Sequence, residues 1–321
     1  MKRILVTGSN GQIGAELVPH LRGIYGAENV LATARRKVPG PVSEGGPFEI
    51  LEVRDGKAFS DLMGSFGVDA VIHLAGVLSA RAEANPQESW DINAGGCFTA
   101  LECAREYKSA FFFPSSIAAF GPSTPADGTP QVTVQRPATI YGVAKVTGEL
   151  LCDYYYLKYG LDTRGLRFPG LISHEAAPGG GTTDYAVHIY YQAVTEGRYT
   201  SYIAQGTFMD MMYMPDALQA VVQLMEADPS RLIHRNAYNV SAMSIDPGMI
   251  AASIRKVISS FEIAYDVDPV RQGIAASWPN SLDCSAARAE WGFAPRYDLD
   301  AMTSDMLTKI GRGQTYTSDK M

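Results

Sequence analysis

Through its first half the chain alternates short apolar runs with stretches of helical periodicity. Residues 3–7 form an apolar run that ends in glycines, and residues 13–24 repeat apolar positions at helical spacing. Residues 30–33, 48–53, 70–74 and 110–114 read as four further strands, with one long helix over 86–107 before the last of them. A helix over 142–159 and a strand over 163–168 continue the series. Such alternation predicts βαβ units, hence an α/β fold with a doubly wound parallel sheet covered on both faces. After Pro169 the texture changes: Ala176-Ala177-Pro178-Gly179-Gly180-Gly181 is a flexible stretch, and later segments are shorter and mixed. The expected division is therefore 1–168 for the sheet domain and 169–321 for a smaller substrate-covering region, some of whose segments return to the core.

The 321 residues, 46% apolar and 19% charged, are enough for one large domain with an appendage. A net charge of −7 argues against a nucleic-acid surface, which needs clustered Lys and Arg. No apolar run is long enough to span a bilayer, and the start moves straight from Met1-Lys2-Arg3 into the first strand. The expectation is a cytoplasmic protein with no membrane or nucleic-acid partner. Cys97, Cys103, Cys152 and Cys284 show no CxxC spacing, and the histidines are scattered, so no metal site and four buried or inert thiols are expected.

Candidate chemistry begins with Gly8-Ser9-Asn10-Gly11-Gln12-Ile13-Gly14, between the first strand and the first helix. Gly8 permits a tight turn, Gly11 lets the backbone approach a pyrophosphate, and Gly14 lets helix and strand pack closely. The N–H groups at the helix start then attract phosphate. Position makes this string informative: it follows a strand and opens a helix.

Tyr-x-x-x-Lys occurs three times, at Tyr141/Lys145, Tyr154/Lys158 and Tyr316/Lys320. With 17 tyrosines in the chain the bare pattern selects nothing. Context selects Tyr141/Lys145, which opens a helix and follows Ser116 at the end of an apolar strand. The second pair reads as an ordinary helix face and the third as a polar tail. A free tyrosine is a poor base at neutral pH, and a neighbouring ammonium stabilises its phenolate. Ser116 would hold the reacting oxygen while Tyr141 removes its proton. The alternative is two structural helix residues and a turn serine.

The GxxGxxG spacing with Tyr141 and Lys145 resembles the extended branch of the short-chain dehydrogenase/reductases, which implies a Rossmann-type fold and an NAD(P) cofactor. Further strings narrow the resemblance: His73-Leu74-Ala75-Gly76-Val77-Leu78-Ser79-Ala80, Gly181-Thr182-Thr183-Asp184-Tyr185-Ala186, Met211-Met212-Tyr213-Met214-Pro215-Asp216-Ala217 and Ser277-Trp278-Pro279. They are similar to the L-threonine 3-dehydrogenases of the short-chain type, over residues 4 to about 295. The resemblance implies oxidation of the threonine β-hydroxyl to 2-amino-3-ketobutyrate, by a monomer or homodimer. It implies cofactor contacts from Gly8, Asn10, Gly11, Gln12, Ile13, Arg35, Glu52, Val53, Leu74, Ala75, Gly76, Asn93, Tyr141, Lys145 and Pro169. Substrate contacts would come from Ser79, Ser116, Tyr141, Gly181, Thr182, Thr183, Asp184 and Trp278. Trp278 reads equally as a buried anchor, and Met211, Met212 and Met214 as packing residues.

The second strand ends Thr33-Ala34-Arg35-Arg36, with Ala34 where NAD-specific relatives carry an acid. The arginines suit a 2′-phosphate, a solvated strand end or stacking on adenine. The family preference points to NAD, and NADP stays open. Two other readings share parts of the pattern: a nucleotide-sugar epimerase or dehydratase, and a non-catalytic NAD(P)-sensing regulator, which would not need Ser116, Tyr141 and Lys145 together.

Overall fold

In the computed structural model, which describes residues 1–175 and 181–313, the predicted strands assemble into one sheet. In chain order the strands are β1 (Ile4–Thr7), β2 (Val30–Ala34), β3 (Phe48–Ile50), β4 (Ala70–His73), β5 (Ala110–Ser116), β6 (Thr163–Phe168), β7 (Gly170–Ile172), β8 (Arg198–Ser201), β9 (Met209–Tyr213), β10 (Tyr238–Asn239), β11 (Met243–Ile245) and β12 (Glu262–Tyr265). Seven of them form the main sheet in the order β10-β6-β5-β4-β1-β2-β3, and each pairing in it is parallel. The order reverses direction between β1 and β4, the crevice where such sheets bind ligands.

β1 and β4 are buried along their length, as is the Phe111–Phe113 stretch of β5, because both sheet faces are covered. Ile4 and Val6 of β1 pack with Leu17, Val18 and Leu21 of helix Gln12–Tyr25 and with helix Met214–Glu226. Leu5, which points the other way, packs with Phe59, Leu101 and Tyr155 from helices Gly56–Phe66, Gly96–Tyr107 and Ile140–Tyr159. A third core lies beyond the sheet. There helices Tyr185–Thr195, Pro247–Arg255 and Leu299–Gly313 pack with residues of β8, β9 and β11. β7, β9 and β11 form a small mixed sheet, and β8 pairs with β12. From this outer part the chain returns to the main sheet through helix Met214–Glu226 and β10. Met211, Met212 and Met214 are fully buried in these cores.

Two predicted elements come out differently. β3 stops at Ile50, so Leu51 and Val53 leave the sheet and line a cleft at the strand ends. The helix expected over 86–107 is broken into Pro86–Trp90 and Gly96–Tyr107 by a π-helical turn, Asp91–Gly95. Apolar periodicity cannot register one extra residue in a helix. A single π-turn of this kind often marks a functional site, and here it carries Asn93. Among the described residues no helix is long and apolar enough to cross a membrane.

Candidate active site

At the C-terminal ends of β1, β2, β4, β5 and β6 lies a long cleft in two parts that share Leu74, Gly76 and Val77 as a common wall. One part runs from the glycine loop over Arg35 to Glu52 and Val53. The other runs from Gln12 and Ile13 past Ser116, Tyr141 and Lys145 to the turn at 181–184 and Trp278.

The glycine loop has the geometry a dinucleotide requires. Gly8 has φ +65°, and a Cβ there would sit 2.6 Å from the Ala75 nitrogen. A Cβ on Gly14 would sit 2.6 Å from the Gly8 carbonyl oxygen. Both glycines are demanded by the protein's own packing. Gly11 is not: its φ is −77°, and a Cβ would only approach the Gly8 oxygen at 3.2 Å. Glycine at this position keeps the cradle open for a ligand. Gly11 also caps helix Gln12–Tyr25, and neither a side-chain cap nor an acid in the first turn satisfies that helix start. An uncapped, acid-free N-terminus facing a cleft is a seat for phosphate.

The wall between the two parts is held from both sides. The Ala75 N–H donates to Thr7 Oγ1 (3.2 Å), which in turn lies 3.1 Å from Nδ1 of buried His73. Burial pushes the His73 imidazole down to about 3, so this contact stays neutral. On the other side the Val77 N–H donates to Asn93 Oδ1 (2.7 Å), and Asn93 Nδ2 donates to the Val77 carbonyl (3.0 Å). Asn93 does not itself line either part of the cleft, unlike the other cofactor residues expected from the sequence. The π-turn aims it at the backbone of the wall, so it acts through Val77.

Helix Ile140–Tyr159 delivers Tyr141 and Lys145. Thr139 caps it by accepting from the Gly142 N–H (3.0 Å), and the Ile140 N–H donates to Glu83 (2.7 Å). The helix lies so close on β5 that a Cβ on Gly148 would sit 2.1 Å from the Phe113 ring. Lys145 Nζ lies 5.3 Å from the Tyr141 ring centre and 5.0 Å from that of Phe113, and donates to the Pro114 carbonyl (2.5 Å). Ser116, at the end of β5, accepts from the Ala118 N–H (3.2 Å) and lines the same part of the cleft. Its neighbour Ser115, which also lines the cleft, donates to Glu149, whose carboxylate pairs with buried Arg167 (2.9 Å).

Facing these residues is the turn Thr182–Asp184. The Gly181 N–H donates to Asp184 Oδ2 (2.7 Å), so Asp184 shapes the turn as well as lining the cleft. Thr182 is buried and lines the cleft, yet its Oγ1 has no hydrogen-bond partner among the described residues. A buried hydroxyl without a partner is costly, and a ligand atom would satisfy it. Ser79, Thr183 and Trp278 complete the wall, and Trp278 is also packed in the outer core.

Sequence reasoning missed Leu78, Ile117, Phe168 and Leu171 in the cleft, and the Glu149–Arg167 pair behind it. Apolar lining residues carry no motif, and a buried ion pair between a helix and a strand has no fixed spacing. Tyr154/Lys158 lies on the outer helix face, where Lys158 donates to Tyr154 (2.7 Å) in the open. Tyr316/Lys320, Gly179 and Gly180 fall outside the described residues. All four cysteines are buried, and burial raises the thiols of Cys97 and Cys284 to about 12. Among the described residues no group of three or more His, Cys, Asp or Glu is placed to hold a metal.

Fold and cleft thus define a Rossmann-type short-chain oxidoreductase architecture with a dinucleotide cradle beside a Ser-Tyr-Lys constellation. The chain belongs to the NAD dependent epimerase/dehydratase family, whose model matches residues 4–241. It is 60% identical over 311 residues to an uncharacterized epimerase/dehydratase of Staphylococcus saprophyticus, covering 97% of each chain. Among solved structures it is similar to L-threonine dehydrogenase from Clostridium difficile (59% identity, TM-score 0.96, covering 98% of this chain and 99% of that one). It is also similar to the holo form of L-threonine dehydrogenase from Cupriavidus necator (44% identity, TM-score 0.93, covering 96% and 99%). The resemblance read from the sequence strings is borne out by these structures.

Proposed function

We propose that the protein oxidises the β-hydroxyl of L-threonine to L-2-amino-3-ketobutyrate, with NAD as the family's cofactor. The bound nicotinamide supplies the hydride acceptor, and the chain's own residues supply the rest. Ser116 hydrogen-bonds the substrate hydroxyl and holds it beside Tyr141. The Lys145 ammonium one helical turn away stabilises Tyr141 as the phenolate, which takes the hydroxyl proton and becomes the neutral phenol as hydride leaves the carbon. Gly8, Gly11 and the start of helix Gln12–Tyr25 hold the pyrophosphate. Thr182 and Thr183 offer hydroxyls to the zwitterion of the amino acid, Ser79 offers a third, and Trp278 covers it.

The observation that carries this reading is the Thr182 hydroxyl, which has no partner among the described residues and lies in a cleft that also holds Ser116, Tyr141 and Lys145. The 59% identity to the Clostridium difficile enzyme supports it. In the test, L-threonine and NAD are mixed with the full chain and absorbance is followed at the NADH wavelength. Threonine-dependent NADH formation is expected. Turnover of a UDP-sugar with none of threonine would replace the proposal by the epimerase reading, and dinucleotide binding without turnover of either by the sensing reading.

A further inference from the structure

The adenosine end of the cleft lacks the group that reads an unmodified ribose. That group is a carboxylate at the end of the second strand, which accepts from the ribose hydroxyls and repels a phosphate placed there. β2 ends instead at Ala34, and Ala34 lines the cleft. The carboxylate that does line this part, Glu52, is already engaged. Arg54 Nε donates to its Oε1 (3.0 Å), Arg54 Nη2 to its Oε2 (3.1 Å), and the Arg54 N–H to Oε1 (3.3 Å).

Two cations come directly after Ala34. Arg35 and Arg36 are exposed, line the same cleft, and form no salt bridge among the described residues. The backbone that carries them is fixed to the glycine loop, because Asn10 Nδ2 donates to the Arg36 carbonyl (2.9 Å). Buried Arg22 holds the next loop in place by donating to the carbonyls of Val42 (2.7 Å) and Pro47 (2.8 Å). The lip of the adenosine site is thus preorganised, free of an unpaired carboxylate, and doubly positive. A guanidinium fork matches a phosphate monoester better than it matches a ribose hydroxyl.

We infer that this site accepts a 2′-phosphorylated dinucleotide, so that NADP(H) binds with an affinity at least comparable to that of NAD(H). The inference rests on the proposed function only in taking the cleft as a dinucleotide site. A solvated strand end, or an arginine stacked on adenine, would treat the two cofactors alike at every salt concentration. A phosphate contact would not, since exposed charge pairs are screened.

The test is titration calorimetry of the full chain with NADH and NADPH, without threonine. A Kd ratio (NADPH over NADH) of about 3 or less is expected at low salt, rising as salt is added over roughly the range from 0.05 to 0.5 M. Ala34→Asp should raise the ratio about 50-fold, because it sets a carboxylate against the phosphate. Arg35→Ser, which needs no new charge in the fold, should raise it by about fivefold. A parental ratio well above about 3, or a ratio that neither substitution moves, overturns the inference. Failure to turn over threonine would sink the dehydrogenase proposal and leave the binding ratio readable. Failure to bind either dinucleotide would sink both.

Discussion

Helix Ile140–Tyr159 carries the same Tyr-x-x-x-Lys pattern twice, and its two copies live in different surroundings. Tyr141/Lys145 opens the helix against β5, lines the cleft with Ser116, and its ammonium is held by the Pro114 carbonyl. Tyr154/Lys158 lies several turns on, where the ammonium donates directly to the phenol on the open face. That hydrogen bond holds the Tyr154 hydroxyl below the ordinary tyrosine range. What the outer pair lacks is a walled site, a second hydroxyl and a ligand seat. On the proposed function, catalysis needs that enclosure, and the motif is one part of it.

The largest expected effect separates the copies outright. Tyr141→Phe should lower threonine-dependent NADH formation by about 10³-fold, while Tyr154→Phe leaves it within about twofold. NADH titration of Tyr141→Phe should still show binding, which separates lost chemistry from a lost fold. Equal losses in the two variants would erase the distinction.

The next effect concerns the ion pairs on either side of the same helix. Glu149–Arg167 is buried, and Arg167 Nη1 also donates to Gln131 and Asn239, so removing the carboxylate leaves an uncompensated charge. Glu149→Ala should cost about 3 kcal/mol or more in urea unfolding. Glu102–Arg105 is a surface pair (2.7 Å) on neighbouring helix Gly96–Tyr107, and Arg105→Ala should leave the midpoint unchanged. A comparable loss at both sites would mean that enclosure does not set the value of a charge here.

The smallest effect is one of pH. Glu16, partly buried where it accepts from Ser173, is pushed up by burial to about 7 from an ordinary value of 4.5. A raised carboxyl favours the protonated folded state. Its contribution is complete below about 4.5 and is lost as pH rises through about 7. Glu52, half-buried and bound to Arg54, is shifted the opposite way. Glu16→Gln should therefore flatten the fall in melting temperature between about pH 5 and 8, and Glu52→Gln should not, as followed by thermal denaturation at about one-unit intervals.

Much of this was legible in the sequence, for identifiable reasons. Continuous apolar runs such as residues 4–6 and 111–113 could only be strands covered on both faces, and that alone implied the parallel sheet. The glycine loop was readable because backbone geometry restricts Gly8 and Gly14 to glycine. Ser116 and Tyr141 were readable as a pair once a strand end and a helix start were placed. Other features arise from three-dimensional proximity, which spacing does not encode. Nothing in Gly148 announces the Phe113 ring beneath it, and nothing in Thr182 announces a buried hydroxyl without a partner among the described residues. Arg22 reads as one more surface residue of an amphipathic helix, yet it is buried and holds the loop behind the adenosine site through backbone carbonyls.

The π-turn at Asp91–Gly95 has a consequence for how this chain tolerates change in length. Deleting one residue within it would restore regular α-helical hydrogen bonding and, taken locally, make a better helix. It would also rotate the helix on one side of the deletion by about 100° relative to the helix on the other. Asn93 would then turn away from Val77 and release the wall between the two halves of the cleft. Insertions and deletions are usually tolerated in loops and resisted in helices for the sake of the helix. Here a deletion that improves the helix would be lethal to the site, so the reading frame of the fold is set by one residue too many.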